Sequence, residues 1–177
     1  MTAAFVALPA LDELDDGACA TALAPLFEGA PRFLARLAAD RPFGDAASLF
    51  DRARTIAHSM PEDEQIELID AHPRLGAPPG SVSALSFREQ GYDQEAADAA
   101  AEAERARVHA ELERLNAAYE EQFGFRCCVF VAGRSRAALL SELESTLTAD
   151  RDAELHRALD AVVDIAADRY RKLAALP

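Results

Sequence analysis

The sequence predicts an all-α fold: a single-domain, multi-helix bundle with one short extended connector. Three observations predict it. Apolar residues recur three and four positions apart through most of the chain. Proline and glycine fall between those periodic stretches. Only Cys127 to Val131 (Cys-Cys-Val-Phe-Val) has the composition of a strand, and one isolated short strand cannot make a sheet.

In chain order, Leu23, Leu26, Phe27, Ala30, Leu34 and Leu37 form a first amphipathic stretch, and Leu49, Phe50, Ala53, Ile56 and Ala57 a second. Pro31 and Pro42 interrupt these early helices. Ser59, with Glu62 three residues on, has the pattern of a capping box that opens a helix through Ile66 and Ile69 and stops near His72-Pro73. The run from Gly76 to Ser86 is rich in proline and glycine, which argues against regular structure, and a loop of that length inside a compact domain is often functional. Glu95 to Ala103 has strong helix propensity but little to bury, so it reads as a solvated lead into the stripe Val108, Leu112, Leu115, Tyr119 and Phe123. After the Cys127 to Val131 connector come Leu139, Leu143 and Leu147, then Leu155, Leu159, Val162, Ala166, Tyr170 and Leu173. No internal repeat or low-complexity linker divides residues 1–177.

At 177 residues with half of them apolar and 28% charged, the chain has enough apolar material for a globular core. It contains no run of about 18 apolar residues, and Met1 to Pro9 lack the basic region and apolar core of a secretory signal, so the expected location is the cytoplasm. A formal net charge of −13 repels phosphate backbones and anionic lipid, which argues against nucleic acid and membrane as partners. An anionic small molecule would need locally convergent donors, for which Arg74, Arg126, Arg134, Arg136, Arg169 and helix N-termini are candidates. Cys19, Cys127 and Cys128 are odd in number and the last two adjacent, so they read as reduced, buried thiols. No Cys/His spacing suggests zinc, and Asp15-Asp16 and Glu62-Asp63-Glu64 read as helix-start charges, not metal ligands.

Two motifs flank the Gly/Pro-rich run: Ala71-His72-Pro73-Arg74-Leu75-Gly76 and Ser86-Phe87-Arg88-Glu89-Gln90. Each has two readings. His72 before a proline either ends a helix by bonding its last carbonyls or handles protons. Ser86-x-x-Glu89 is either a capping box or part of a site. His58, His109 and His156 lie in helical stretches with no accompanying motif and read as surface or packing residues.

Further motifs follow in order: Leu115-Asn116-x-x-Tyr119, Phe123-Gly124-Phe125, Gly133-Arg134-Ser135 and Ile165-Ala166-x-x-Arg169, with Arg41-Pro42-Phe43 upstream. Together with the His-Pro-x-Leu-Gly and Ser-x-x-Glu-Gln motifs, this series resembles the OHCU decarboxylase family from about Leu11 to Leu173. The resemblance implies an all-helical homodimer, without cofactor or metal, that acts after urate oxidase and hydroxyisourate hydrolase. Its small-molecule substrate would be 2-oxo-4-hydroxy-4-carboxy-5-ureidoimidazoline (OHCU) and its product (S)-allantoin. By position, His72 is the implied catalytic histidine, Glu89 and Gln90 are its acidic and amide partners, and Arg169 matches the arginine late in the last helix. Pro73, the segment Ser86, Phe87, Arg88 and Gln90, and the segment Cys127, Cys128, Val129, Phe130 and Val131 would line the ligand. The chain departs from the family at Cys127, where an aromatic residue is common, and at Thr146 and Ala149, where Arg and Asn are frequent. A smaller residue at 127 is expected to enlarge the pocket or alter substrate choice, while the other two are expected to affect packing. Two alternatives stay open at this level: a noncatalytic binding protein that keeps the pocket, and a member acting on a related ureido acid.

The chemistry accounts for the residue types. A ring C=N next to the departing carboxyl group accepts the electrons left behind, so no cofactor is needed, but the developing charge must be stabilised and one proton delivered to one face. An imidazole with a pKa near 6.5 exchanges protons at neutral pH, and Glu89, if adjacent, would orient it or raise its pKa. Arg169 offers a fork of donors for a carboxylate, free N–H groups at a helix beginning near Ser86 favour negative charge, and the Gln90 amide suits a ureido group.

Overall fold

The computed structural model describes residues 7–92 and 99–175. The segment before Ala7, part of the stretch weighed above for a secretory signal, and the first residues of the Glu95 to Ala103 stretch lie outside the described residues. Those described residues form nine α-helices and one 3-10 turn, with no strand among them. The helices are α1 (Leu8–Glu13), α2 (Asp16–Leu23), α3 (Pro31–Ala39), α4 (Ala46–Ser59), α5 (Glu62–Asp70), α6 (Ala84–Glu89), α7 (Ala99–Phe123), α8 (Arg136–Thr146) and α9 (Arg151–Ala174), with the 3-10 turn at Pro79–Ser81. The all-α expectation holds, and residues 127–131 lie outside any helix. None of the helices is long and apolar enough to cross a membrane.

Contacts divide the chain into two compact units, Met1–His72 with Leu159–Pro177, and Pro73–Ala158. In the first unit α3 packs against α2, α4 and α5. Its core holds Phe27 and Phe33, whose ring centroids lie 4.8 Å apart, with Leu37, Leu49, Leu68, Leu159 and Val162. The early apolar stretch is two helices, because α2 ends at Leu23 and Pro31 opens α3 instead of interrupting a longer helix. Proline is tolerated there because the first helical N–H has no partner within the helix. Asp15 and Asp45 cap α2 and α4, each accepting a backbone N–H at 2.8 Å. The acidic start of α5 carries charges suited to a helix N-terminus, and they also pair with α3: Arg36 binds Glu64 through two bonds of 2.7 and 2.9 Å, and Arg32 bonds Asp63 and Glu67.

The expected Ser59/Glu62 capping box does not form. Ser59 is the last residue of α4 and its hydroxyl donates back to the Ile56 carbonyl at 3.1 Å, so Pro61 stands at the N-cap of α5 with no side-chain cap.

In the second unit α7 packs against α8. The periodic stripe of α7 is buried as expected, and Tyr119, Phe123 and Phe125 form an aromatic cluster with centroids 4.6 to 6.0 Å apart. The run from Gly76 to Ser86 is more ordered than its composition suggests, since it holds the 3-10 turn and the first residues of α6. Ser135 caps α8 by accepting the Ala138 N–H at 3.2 Å.

Candidate functional site

In the first unit, α5 ends at Asp70 because Pro73 cannot continue the helical ladder, and this leaves His72 just beyond the last turn. Its backbone N–H still reaches the Ile69 carbonyl at 3.1 Å, and the residue is 4% exposed. Nδ1 lies 3.3 Å from the Leu68 carbonyl. A carbonyl only accepts, so in the neutral ring Nδ1 carries the proton and Nε2 the lone pair. Of the two sequence readings of His72, the helix-ending one is met, since the ring and the backbone both bond carbonyls of the last turn.

Arg169 in α9 is 1% exposed. A buried guanidinium is stable only when its charge and donors are matched. Nη1 donates to the carbonyls of Pro25 and Leu26 at 3.1 and 3.2 Å, and Nη2 donates to the Glu28 carboxylate at 2.8 Å. Burial and the Arg169 charge push the His72 pKa down to about 4, against the opposing pull of Glu28 and the Leu68 carbonyl. The imidazole is thus neutral at pH 7, whereas the sequence suggested one exchanging protons near its ordinary value. The first unit brings together His72, Arg169 and a third residue, Glu28, that sequence reasoning missed. Its sequence signal is the run Phe27-Glu28-Gly29-Ala30-Pro31, a turn pattern set inside an apolar stretch whose spacing predicts a helix.

In the second unit, the helix carrying the Ser-x-x-Glu-Gln motif begins earlier than the motif suggests. Ser83 is its N-cap, and its hydroxyl accepts the Ser86 N–H at 3.1 Å, so Ser86 lies inside the helix and Glu89 ends it. A capping box needs its acid at the third helical position, which Ser86 occupies; the box reading is corrected, and so is the idea of free N–H groups beginning at Ser86. Glu89 is half-buried and lines a cavity of about 410 Å³ with Arg88, Arg105, His109, Arg134 and Arg136. The four arginines stand with the carboxylates of Glu89 and Glu104 in the same lining, and Arg105 and Arg134 are further paired with Glu102 and Glu142. His109 borders this cavity while also facing Glu113 at 3.5 Å, in keeping with a surface residue.

The two flanking motifs meet through Gln90. Its Oε1 accepts the Gly76 N–H at 2.7 Å and its Nε2 donates to the Arg74 carbonyl at 3.2 Å. Asn116 donates to the Leu75 carbonyl at 3.0 Å, and the Tyr92 hydroxyl to the Ala77 carbonyl at 2.5 Å. Three side chains thereby fix the backbone that directly follows His72-Pro73, where Pro73 itself is half-buried. Phe87 stacks on Tyr92 with centroids 5.3 Å apart, and the Arg136 guanidinium sits 4.2 Å above the same tyrosine ring. Arg88 is exposed and donates to the Ala84 carbonyl at 3.3 Å.

The segment 127–131 is buried at Cys127, Cys128, Val129 and Val131 and half-buried at Phe130. Arg134 holds its end by donating to the Phe130 and Val131 carbonyls at 2.7 and 3.1 Å. Burial pushes the Cys127 thiol up to about 12, so it is a neutral packing group with no nucleophilic character at pH 7. Cys19, Cys127 and Cys128 are buried and none of them is in a disulfide, as expected. Among the described residues no group of three or more His, Cys, Asp or Glu is placed to hold a metal ion.

Comparison with known proteins gives a consistent result. The sequence model of the family described as OHCU decarboxylase matches residues 12–171, running unbroken through both units. The chain is 26% identical to the 2-oxo-4-hydroxy-4-carboxy-5-ureidoimidazoline decarboxylase of Haloferax volcanii over 90% of each protein. It is 30% identical to the uric acid degradation bifunctional protein PucL of Bacillus subtilis, matching with 91% of its own length but only 31% of that protein's. A crystal structure of OHCU decarboxylase in the presence of (S)-allantoin has the same fold, with a TM-score of 0.65 at 22% identity over 85% of this chain and 94% of that one.

Proposed function

The chain belongs to the OHCU decarboxylase family, and from that premise we propose that it converts OHCU to (S)-allantoin with His72 and Glu89 as its acid/base residues. The observation that carries the reading is a buried, neutral imidazole, His72, held in the field of a buried, fixed guanidinium, Arg169.

Decarboxylation of a carboxylate breaks one C–C bond, sends its electron pair into the ring C=N system, releases carbon dioxide and takes up one proton. In the ligand-free protein His72 does not hold that proton at neutral pH. An arriving carboxylate changes this, because a negative charge beside the ring favours the imidazolium and works against the Arg169 charge. His72 then loads a proton at Nε2 as substrate binds and delivers it to one face of the ring after carbon dioxide leaves. Three donors of Arg169 are engaged within its own unit, so its part is a fixed positive charge held in a dry setting, where it is worth most. Glu89 lines a cavity that also holds Arg88, Arg105, Arg134 and Arg136. Pro73, Ser86, Phe87, Arg88 and residues 127–131 complete the proposed ligand-lining set, with Gln90 acting through the backbone it holds. A homodimer located in the cytoplasm is part of the same proposal, and sedimentation equilibrium tests its stoichiometry.

The experiment generates OHCU in place from urate with urate oxidase and hydroxyisourate hydrolase, and follows (S)-allantoin by circular dichroism. The wild-type protein accelerates its appearance, and His72→Ala and Glu89→Ala remove the acceleration while the helical far-ultraviolet signal persists. Wild-type turnover in His72→Ala rejects the assignment of that residue, and no acceleration by the wild type rejects the activity.

A further inference from the structure

We propose that Glu28 is a positioning residue for this reaction, carried on a left-handed turn that holds the Arg169 guanidinium beside His72. The inference rests on the decarboxylase reading and adds to it a residue outside every motif that supports that reading.

The turn between α2 and α3 is unusual. Glu28 has φ +53° and Gly29 φ +83°. A glutamate in the left-handed region is uncommon and strained, and such strain gathers where the surrounding structure needs a particular side chain in a particular place. Gly29 donates its N–H to the Ala24 carbonyl at 3.0 Å, which closes the turn and leaves the Pro25 and Leu26 carbonyls facing Arg169. Four consecutive residues thus supply three acceptors to one guanidinium, and only the Glu28 carboxylate brings charge. Glycine at position 28 would relieve the backbone but would leave a fully buried cation without its counter-ion.

A counter-ion could serve folding alone, and the charges around His72 separate the two roles. Arg169 from α9, Glu28 from this turn and the Leu68 carbonyl from α5 all act on the imidazole. Glu28 offsets Arg169, so it keeps the ring within reach of a proton once substrate arrives. Glu28→Gln preserves an oxygen acceptor for Arg169 and removes only the charge. Arg169 is then opposed only by the Leu68 carbonyl and the ring protonates at a lower pH.

The test compares wild-type protein, Glu28→Gln and Glu28→Asp by NMR titration of the His72 imidazole from pH 7 downward and by the pH dependence of kcat/KM. Expected for Glu28→Gln is a His72 titration displaced by about one unit to lower pH, with kcat/KM about ten-fold lower at fixed pH. Glu28→Asp, which retains the charge, restores most of both. Superimposable titrations in wild type and Glu28→Gln, including rings that stay neutral until unfolding in both, overturn the proposal. Loss of the fold in both variants also overturns it, by making Glu28 a structural counter-ion. An inactive wild-type protein whose His72 titration nevertheless moves in Glu28→Gln sinks the decarboxylase reading and leaves the electrostatic coupling standing.

Discussion

Gln90 accepts the backbone N–H of Gly76 at 2.7 Å, and this one bond ties the Ser-x-x-Glu-Gln motif to the His-Pro-x-Leu-Gly motif 14 residues earlier. Gly76 has φ +82°, and a Cβ built there would lie 2.9 Å from Leu112 Cδ1. Conformation and space both require glycine. Gly76→Ala is expected to destabilise by about 1–2 kcal/mol from the left-handed backbone alone, with a further loss from the contact with Leu112. Urea unfolding measures it. Because the leucine contact is local, the double variant Gly76→Ala/Leu112→Ala should be less destabilised than the sum of its single variants.

Tyr119 lies 1% exposed in α7 and donates its hydroxyl to Glu154, itself 2% exposed, at 2.7 Å. Arg157 donates to the same carboxylate oxygen at 2.8 Å. Burial pushes the Tyr119 phenol well above its ordinary value, so it remains a donor at every pH where the protein is folded. Tyr119→Phe keeps the ring contacts with Phe123 and Phe125 but removes one bond from a buried acid, at an expected cost of about 1–3 kcal/mol. Tyr119→Phe with Glu154→Gln should cost less than the two single changes summed, which a double-mutant cycle checks. Additive losses would show that the pair does not interact energetically.

The helices were legible because burial imposes their period. Val108, Leu112, Leu115, Tyr119 and Phe123 follow it in sequence and are all buried in α7. Ends were less legible, because a cap is decided by competition among neighbouring hydroxyls: Ser83 outcompetes Ser86, and Ser59 turns back on its own helix. The motif residues were legible as a set, yet their local roles were not. The resemblance implies that Gln90 faces ligand, and in the structure both its amide atoms bond backbone. Glu28 was hidden because nothing local in the sequence shows that Arg169, 141 positions away, will pair with it. The lowered His72 pKa was hidden for the same reason, since burial and a distant arginine cause it.

His72 also sets a pH dependence of stability. Its ring titrates near 6.5 when unfolded and is lowered to about 4 when folded. Between those values the unfolded chain binds more protons, so stability rises with pH in that window. The contribution is fully present above pH 6.5 and is lost as pH falls through about 4, amounting to a loss on the order of 3 kcal/mol. Replacing the titrating ring by Gln should flatten that part of the stability curve, whatever it does to stability at pH 8. Chemical unfolding of wild type and His72→Gln at pH 7.5, 6, 5 and 4.5 supplies the comparison, and parallel curves would show that other groups cause the acid loss.

Arg169 separates charge from geometry. Arg169→Met leaves the Glu28 carboxylate and two carbonyls without their donor in a buried setting, which is expected to cost about 3–5 kcal/mol and to shorten the range of conditions under which the protein folds. Arg169→Lys keeps one positive charge, but a single ammonium cannot reproduce the fork that bonds Pro25, Leu26 and Glu28 together. Its loss should be smaller, about 1–3 kcal/mol. If the fixed charge alone stabilises the developing negative charge, the lysine variant retains most of kcat; if the charge must be held in one orientation, kcat falls at least ten-fold while the fold survives. The buried, three-bond arrangement favours the second result. Steady-state rates of (S)-allantoin formation, measured alongside thermal unfolding of the same preparations, distinguish a catalytic loss from a merely unfolded fraction.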